Sequence, residues 1–200
     1  MLAFCTFIPV LSALVLVVQI PTGTYPEESV RLAVAPISWF VHVLAGALFG
    51  IVGPLQFVRA LRRRFGLLHR VLGRVFVMSG ATIGLSGLSL LSQVTPQSTS
   101  VIDITRAVFS SALLIALALA IAAIRDRDVP RHRAWAIRAY AIGMGSGTVA
   151  LVFFPIYIIT GQPPTGLAAD IVFAIWWVLI IAFAEVVIRR AFPSNPWLRP

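Results

Sequence analysis

One cysteine, no lysine and seven acidic residues against sixteen arginines distinguish this chain before any motif does. The lone Cys5 excludes an internal disulfide framework, and with it zinc or iron–sulfur sites built from clustered cysteines. It reads as a small apolar residue of a first helix. Charged residues are 12% of the chain, where a soluble domain carries about 25%. That is too little charge to cover a water-facing surface, so the chain is an integral membrane protein. Soluble-enzyme signatures are missing as well: there is no HExxH, no P-loop, no Ser-His-Asp order and no GxGxxG with a following strand. The net charge of +9 does not point to nucleic acid, because the arginines gather in short loops between apolar runs.

Those apolar runs are the main content. Six are long enough to span a hydrocarbon core, which takes about 20 helical residues: 2–20, 37–59, 71–92, 104–124, 136–160 and 168–188. They predict an all-α, polytopic transmembrane bundle of about six spans, a single transmembrane domain over 1–200. The first run has no basic n-region and no small-x-small cleavage site after it, so it reads as a retained helix. Arginine asymmetry sets the orientation. Arg59, Arg62, Arg63, Arg64 and Arg70 follow the second run; Arg125, Arg127, Arg131 and Arg133 follow the fourth; Arg189, Arg190 and Arg199 close the tail. The opposite loops hold Glu27, Glu28, Arg31, Asp103, Arg106 and Asp170. Both termini are therefore expected on the cytoplasmic side of a bacterial inner (plasma) membrane, with the lipid bilayer and its anionic headgroups as partners. PTGTYPEES, SQVTPQSTS and TGQPPTG are loops by composition, and no stretch is long enough for a separate soluble domain.

Glycines recur at helical spacing: Gly46, Gly50 and Gly53; Gly80, Gly84 and Gly87; Gly143, Gly145 and Gly147. Such spacing lets helix backbones approach closely in lipid, and close packing accounts for it; a ligand cleft against the same faces is the alternative. Two helices open on the same pair, His69-Arg70 and His132-Arg133, each where a basic loop turns into an apolar helix. Aligning the histidines also aligns Arg74 with Arg138 and Phe76 with Tyr140, each within one residue, and Gly80 with Gly143 and Gly84 with Gly147. Duplication of a helix–loop–helix unit would give this pattern, and so would chance in a chain this rich in alanine, glycine and arginine.

Three histidines carry most of the chemical interest. His42 lies about five residues into the second run, toward the outer face, while His69 and His132 lie near the inner face. A separation of ~25–30 Å keeps His42 from sharing a ligand with them. His69 and His132, at similar depth, are a ligand set for haem b iron or another transition metal. No carboxylate or third histidine joins them, and no metal site is assigned. The flanking Arg70 and Arg133 disfavour a cationic metal but suit haem propionates; the simpler alternative is a pair of interfacial histidines that cap helix starts and meet phosphate headgroups. His42 shares a face with Gly46 and Gly50 and points into the bundle, where an interhelical hydrogen bond competes with a haem-ligand or proton-relay role.

Arg74, Arg138 and Glu185 form a second set. Each arginine lies ~7–9 Å deeper than its histidine. Glu185 stands four residues before Arg189, a favourable pairing distance, and can also reach Arg74 or Arg138 across the bundle. A paired network competes here with an anion, lipid-headgroup or quinone-headgroup site. Gln56 follows Pro54, which is expected to kink the second helix and expose carbonyls. Trp39, Trp135, Trp176, Trp177 and Trp197 read as interfacial anchors.

The sequences His42-x3-Gly46, GPLQF (53–57), HRVLGR (69–74) and RHRAWAIRAYA (131–141) together resemble DUF2306, a family of bacterial multi-pass membrane proteins. The resemblance runs from residue 42 to about 150, with Ala136 where a methionine is common and Phe76 where a tyrosine is common. It implies a multi-helix membrane domain and brings no particular activity. Three functional readings follow. The first is a haem- or quinone-associated redox module with its His/Arg cluster near the cytoplasmic face. The second is an accessory or assembly subunit that packs on a larger membrane complex through its glycine faces. The third is a small-molecule transporter, for which the outer half offers few polar groups.

Overall fold

The computed structural model describes residues 7–24, 30–94, 100–162 and 164–191. Residues 2–6 of the first apolar run, Glu27, Glu28, Trp197, Arg199 and the side chain of Arg31 lie outside them. Nine helices form among the described residues: α1 Phe7–Thr22, α2 Val30–Val34, α3 Pro36–Gln56, α4 Arg59–Arg64, α5 Gly66–Val94, α6 Ser100–Arg125, α7 Val129–Thr148, α8 Ala150–Thr160 and α9 Gly166–Ala191. Five segments are long and apolar enough to cross a membrane: α3, α5, α6, the continuous stretch Val129–Thr160, and α9. The described part of the first run, α1, has 16 residues, ~24 Å of helix against a hydrocarbon core of about 30 Å. Exposed Ile37, Leu85, Ile115, Ile175 and Val178 give the bundle an apolar exterior, which suits lipid better than water.

Two hairpins dominate the packing, α3 with α5 and α6 with α7, and α5 packs on α6 between them. Helix α1 lies along α3, and α9 covers α7. The second hairpin turns in three residues. Asp128 N–H donates to Ala123 O at 2.9 Å and Arg127 N–H to Ile124 O at 3.2 Å, with Arg127 left-handed at φ 60°. These bonds close α6 with a Schellman motif. Asp128 then caps α7, its Oδ1 accepting from Arg131 N–H at 3.0 Å, and Pro130 sits in the first turn where its missing N–H costs nothing.

Helices α5 and α7 start earlier than the apolar runs predict, so His69 and His132 each become the fourth residue of a helix. The run expected at 136–160 is interrupted at Val149. Thr148 Oγ1 donates back to Gly145 O at 3.1 Å and accepts from Trp176 Nε1 at 3.1 Å. Such back-bonding bends helices, and Pro155 about two turns later denies Leu151 its helical donor.

At the centre lies Phe49, fully buried and stacked on Phe76 at 4.5 Å. A Cβ on Gly80 would stand 2.8 Å from one edge of its ring, and a Cβ on Gly143 2.6 Å from the other. The two glycines at matching places in the two His-Arg helices thus grip one side chain. Gly50, Gly84 and Gly147 are likewise filled from within the chain, by Val10, Leu114 and Pro9, whereas Gly46 faces open space. Close packing within the chain thus fills these glycine positions, apart from Gly46. Trp177 is a correction to the reading of tryptophans as anchors. It is buried against Gly145, stacks on Phe109 at 4.3 Å, and donates Nε1–H to Ile142 O at 2.7 Å.

Candidate functional site

Polar groups from three separate stretches meet at the basic end of the bundle. Gln56 is the last residue of α3, and its Oε1 would lie 3.3 Å from a Cβ on Gly73. It therefore rests in the notch that this glycine leaves on α5. Gly73 is one turn past His69 on the same face. Gln56 Nε2 and His69 Nδ1 are both buried and have no hydrogen-bond partner among the described residues. Orphaned buried polar atoms cost about 1–3 kcal/mol each, so a pair at one place calls for an explanation. His132 and Arg62 are close enough for their charges to act on His69, and Arg62 and Arg59 act likewise on Arg133. Helix α4 thereby adds its arginines to the charge around the two His-Arg openings.

His132 is held differently from His69. Its Nδ1 lies 2.8 Å from Ala120 O on α6. A carbonyl only accepts, so Nδ1 carries the hydrogen, and in the neutral ring Nε2 keeps its lone pair.

The deeper arginines diverge. Arg138 donates Nε–H to Glu185 Oε1 at 2.5 Å and Nη2–H to Oε2 at 2.9 Å, a bidentate pair joining α7 to α9. Its Cζ also lies 4.6 Å from the centre of the Trp135 ring. Its charge is committed inside the bundle, as the paired-network reading holds, and Glu185 takes this partner in preference to its own helix neighbour Arg189. Arg74 does not join: it is exposed, as is Arg70. Arg74 follows His69 by five residues and Arg138 follows His132 by six, and one residue is about 100° of helix rotation. The expected ladder of His, Arg and buried Arg is therefore complete only in the second copy.

Pro54 stands in the last turn of α3 and does not break it. The carbonyl it frees, Gly50 O, has Tyr140 Oη 3.5 Å away. Tyr140 in turn fills the space beside Gly53 and meets Phe57 edge-on at 5.7 Å. The carbonyl that Pro54 frees is thus answered from inside the protein.

His42 belongs to the other end. Its Nδ1 lies 2.8 Å from Ser86 Oγ on α5, the interhelical hydrogen bond anticipated for it. His69 and Ser86 are seventeen positions apart on the same helix, ~25 Å, so His42 shares no ligand with the basic end. Beside His42 lies a cavity of about 230 Å³ that Arg106 also lines. The sequence alone assigned Arg106 to a loop; α6 begins at Ser100, which puts Arg106 in its second turn. Among the described residues no group of three or more His, Cys, Asp or Glu is placed to hold a metal ion.

The GPLQF, HRVLGR and RHRAWAIRAYA stretches thus converge in space, and a family model for a predicted membrane protein, DUF2306, matches residues 39–188. The chain belongs to the DUF2306 family. No curated protein and no solved structure matches it. The DUF2306 stretches divide their labour: Gly53, Phe57 and Tyr140 build the packing, while Gln56, His69 and His132 supply the polar groups. Phe76 is buried in the Phe49 stack.

Proposed function

We propose that the protein is a membrane-embedded binding module for an anionic amphipathic ligand, a lipid or cofactor bearing phosphate or carboxylate. Gln56, His69 and His132 grip its charged group under Arg59, Arg62 and Arg133. The observation that carries this reading is the pair of buried, unpartnered nitrogens on Gln56 and His69 beneath clustered arginines. The Gln56 amide is a donor without an acceptor and His69 supplies a second when Nδ1 carries its hydrogen; next to excess positive charge they complement an anion better than a cation. In this proposal the chain is one transmembrane domain of six spans with both termini in the cytoplasm, and the basic end faces the cytoplasm of a bacterial inner membrane.

Native mass spectrometry of the full chain extracted from membranes tests it. Wild type is expected to retain a phosphate- or carboxylate-bearing molecule that the double variant Gln56→Leu, His69→Leu releases. Equal retention by both chains overturns the proposal.

A second reading is favoured by the His132 geometry alone. A ring whose Nδ1–H is fixed by a carbonyl presents Nε2 as metal ligands do, so His132 and His69 would hold haem b, with the arginines on its propionates. An oxidised-minus-reduced absorption spectrum without a Soret band removes that reading and leaves the first intact.

A further inference from the structure

The cavity beside His42 is independent of the basic end and has a chemistry of its own. Its walls include four aromatic residues, Trp39, Phe109, Phe173 and Trp177, and its polar lining is His42, Arg106, Ser110 and Ser146. Among the described residues no carboxylate lines it. Arg106 is near enough for its charge to act on the His42 ring.

The orientation of His42 follows from one hydrogen. Ser86 Oγ donates to Thr82 O at 2.5 Å. A hydroxyl has a single hydrogen, so towards His42 Ser86 is the acceptor and His42 Nδ1–H the donor. In the neutral ring Nε2 is then an acceptor. Ser86 is not part of the cavity wall, whereas Gly87 is, with its Cβ position 3.8 Å from His42 Cε1. The ring therefore turns its Cε1–Nε2 edge toward the cavity. An acceptor stands on one side, a guanidinium on another, and flat apolar walls lie between them.

We propose that this cavity is a second binding site, for a single aromatic ring carrying oxygens at opposite ends, the chemistry of a quinol headgroup. One hydroxyl donates to His42 Nε2 and the far oxygen accepts from Arg106, with the ring held among the aromatic walls. The volume sets the class. At about 230 Å³ it falls below the ~300–1,000 Å³ of pockets for drug-sized ligands. It holds one ring and excludes a macrocycle, so haem is not its occupant. The lone pair at Nε2 favours the quinol over the quinone, which has no hydroxyl to donate.

The test uses the full chain in lipid nanodiscs, titrated with a short-tailed 1,4-benzoquinol kept reduced and with the matching quinone. The expected result is saturable quenching of tryptophan fluorescence, from the cavity residues Trp39 and Trp177, with the quinol the tighter ligand. His42→Ala is expected to weaken quinol binding at least tenfold, and Ser146→Leu, which fills the cavity, to abolish it. Non-saturable quenching shared by wild type and both variants means partitioning into lipid and overturns the proposal. Should the variants fail to fold, imidazole ¹⁵N spectra of the wild-type chain decide. The quinol shifts Nε2 of one histidine, His42, among only three in the sequence; unmoved His42 resonances at saturating quinol overturn it too, and mean that the cavity holds water only.

Discussion

The ring of Tyr140 fills the space where Gly53 has no side chain. Both belong to stretches shared with DUF2306, and the contact explains why a glycine precedes Pro54. Tyr140 is buried and braced by Phe49 and Phe57, so it has nowhere to retreat. Gly53→Ala is expected to cost at least the ~1–3 kcal/mol typical of overpacking, read as a lowered thermal midpoint in detergent. Tyr140→Leu in the same chain should recover part of the loss. A Gly53→Ala protein as stable as wild type would contradict the contact.

Glu185 and Arg138 are a second coupled pair. Their side chains are 32% and 18% exposed, between the surface and buried limits. Glu185→Ala is expected to cost about 1–3 kcal/mol, above an open surface pair and below a fully buried one. In a double-mutant cycle with Arg138→Ala, the double variant should lose less than the sum of the two single losses, the mark of a favourable coupling. A coupling of zero would mean that the two groups do not pair in the folded protein.

Arg127 adopts a left-handed backbone in the hairpin turn, a conformation that costs a residue with a side chain about 1–2 kcal/mol. Arg127→Gly relieves it, offset by the greater freedom that glycine loses on folding. A gain of up to about 1 kcal/mol in thermal or denaturant stability is expected; a loss would show that the turn is built differently.

Gln56→Leu separates stability from binding. Replacing an orphaned buried amide by an apolar group is expected to leave the ligand-free protein as stable or more so, by up to ~1 kcal/mol. The same change should weaken retention of the anionic ligand. If stability falls instead, Nε2 has a partner that holds the fold together.

Much of the fold was legible in composition. The apolar runs at 37–59, 71–92, 104–124 and 168–188 fall on α3, α5, α6 and α9 because long hydrophobic runs leave few alternatives in lipid. The break at Val149 was not legible, since Thr148 and Pro155 lie inside an unbroken apolar run and the Trp176 bond that holds Thr148 in its back-bonded position comes from another helix. Trp177 was misread for a related reason: only the bare backbone of Gly145 on a facing helix makes room for it. The partner of Glu185 could not be read either, because Arg189 satisfies the local pairing rule equally well. Arg74 was different. The offset of five against six residues was present in the sequence, and helix geometry alone separates it from Arg138.

Helix α5 carries His69 and Gly73 near one end and Ser86 and Gly87 near the other. It is therefore a common beam: a slide or roll of α5 that reshapes the Gln56 notch also moves the seat of His42. If occupants at the two ends prefer different settings of this helix, each changes the affinity of the other, and by the same factor.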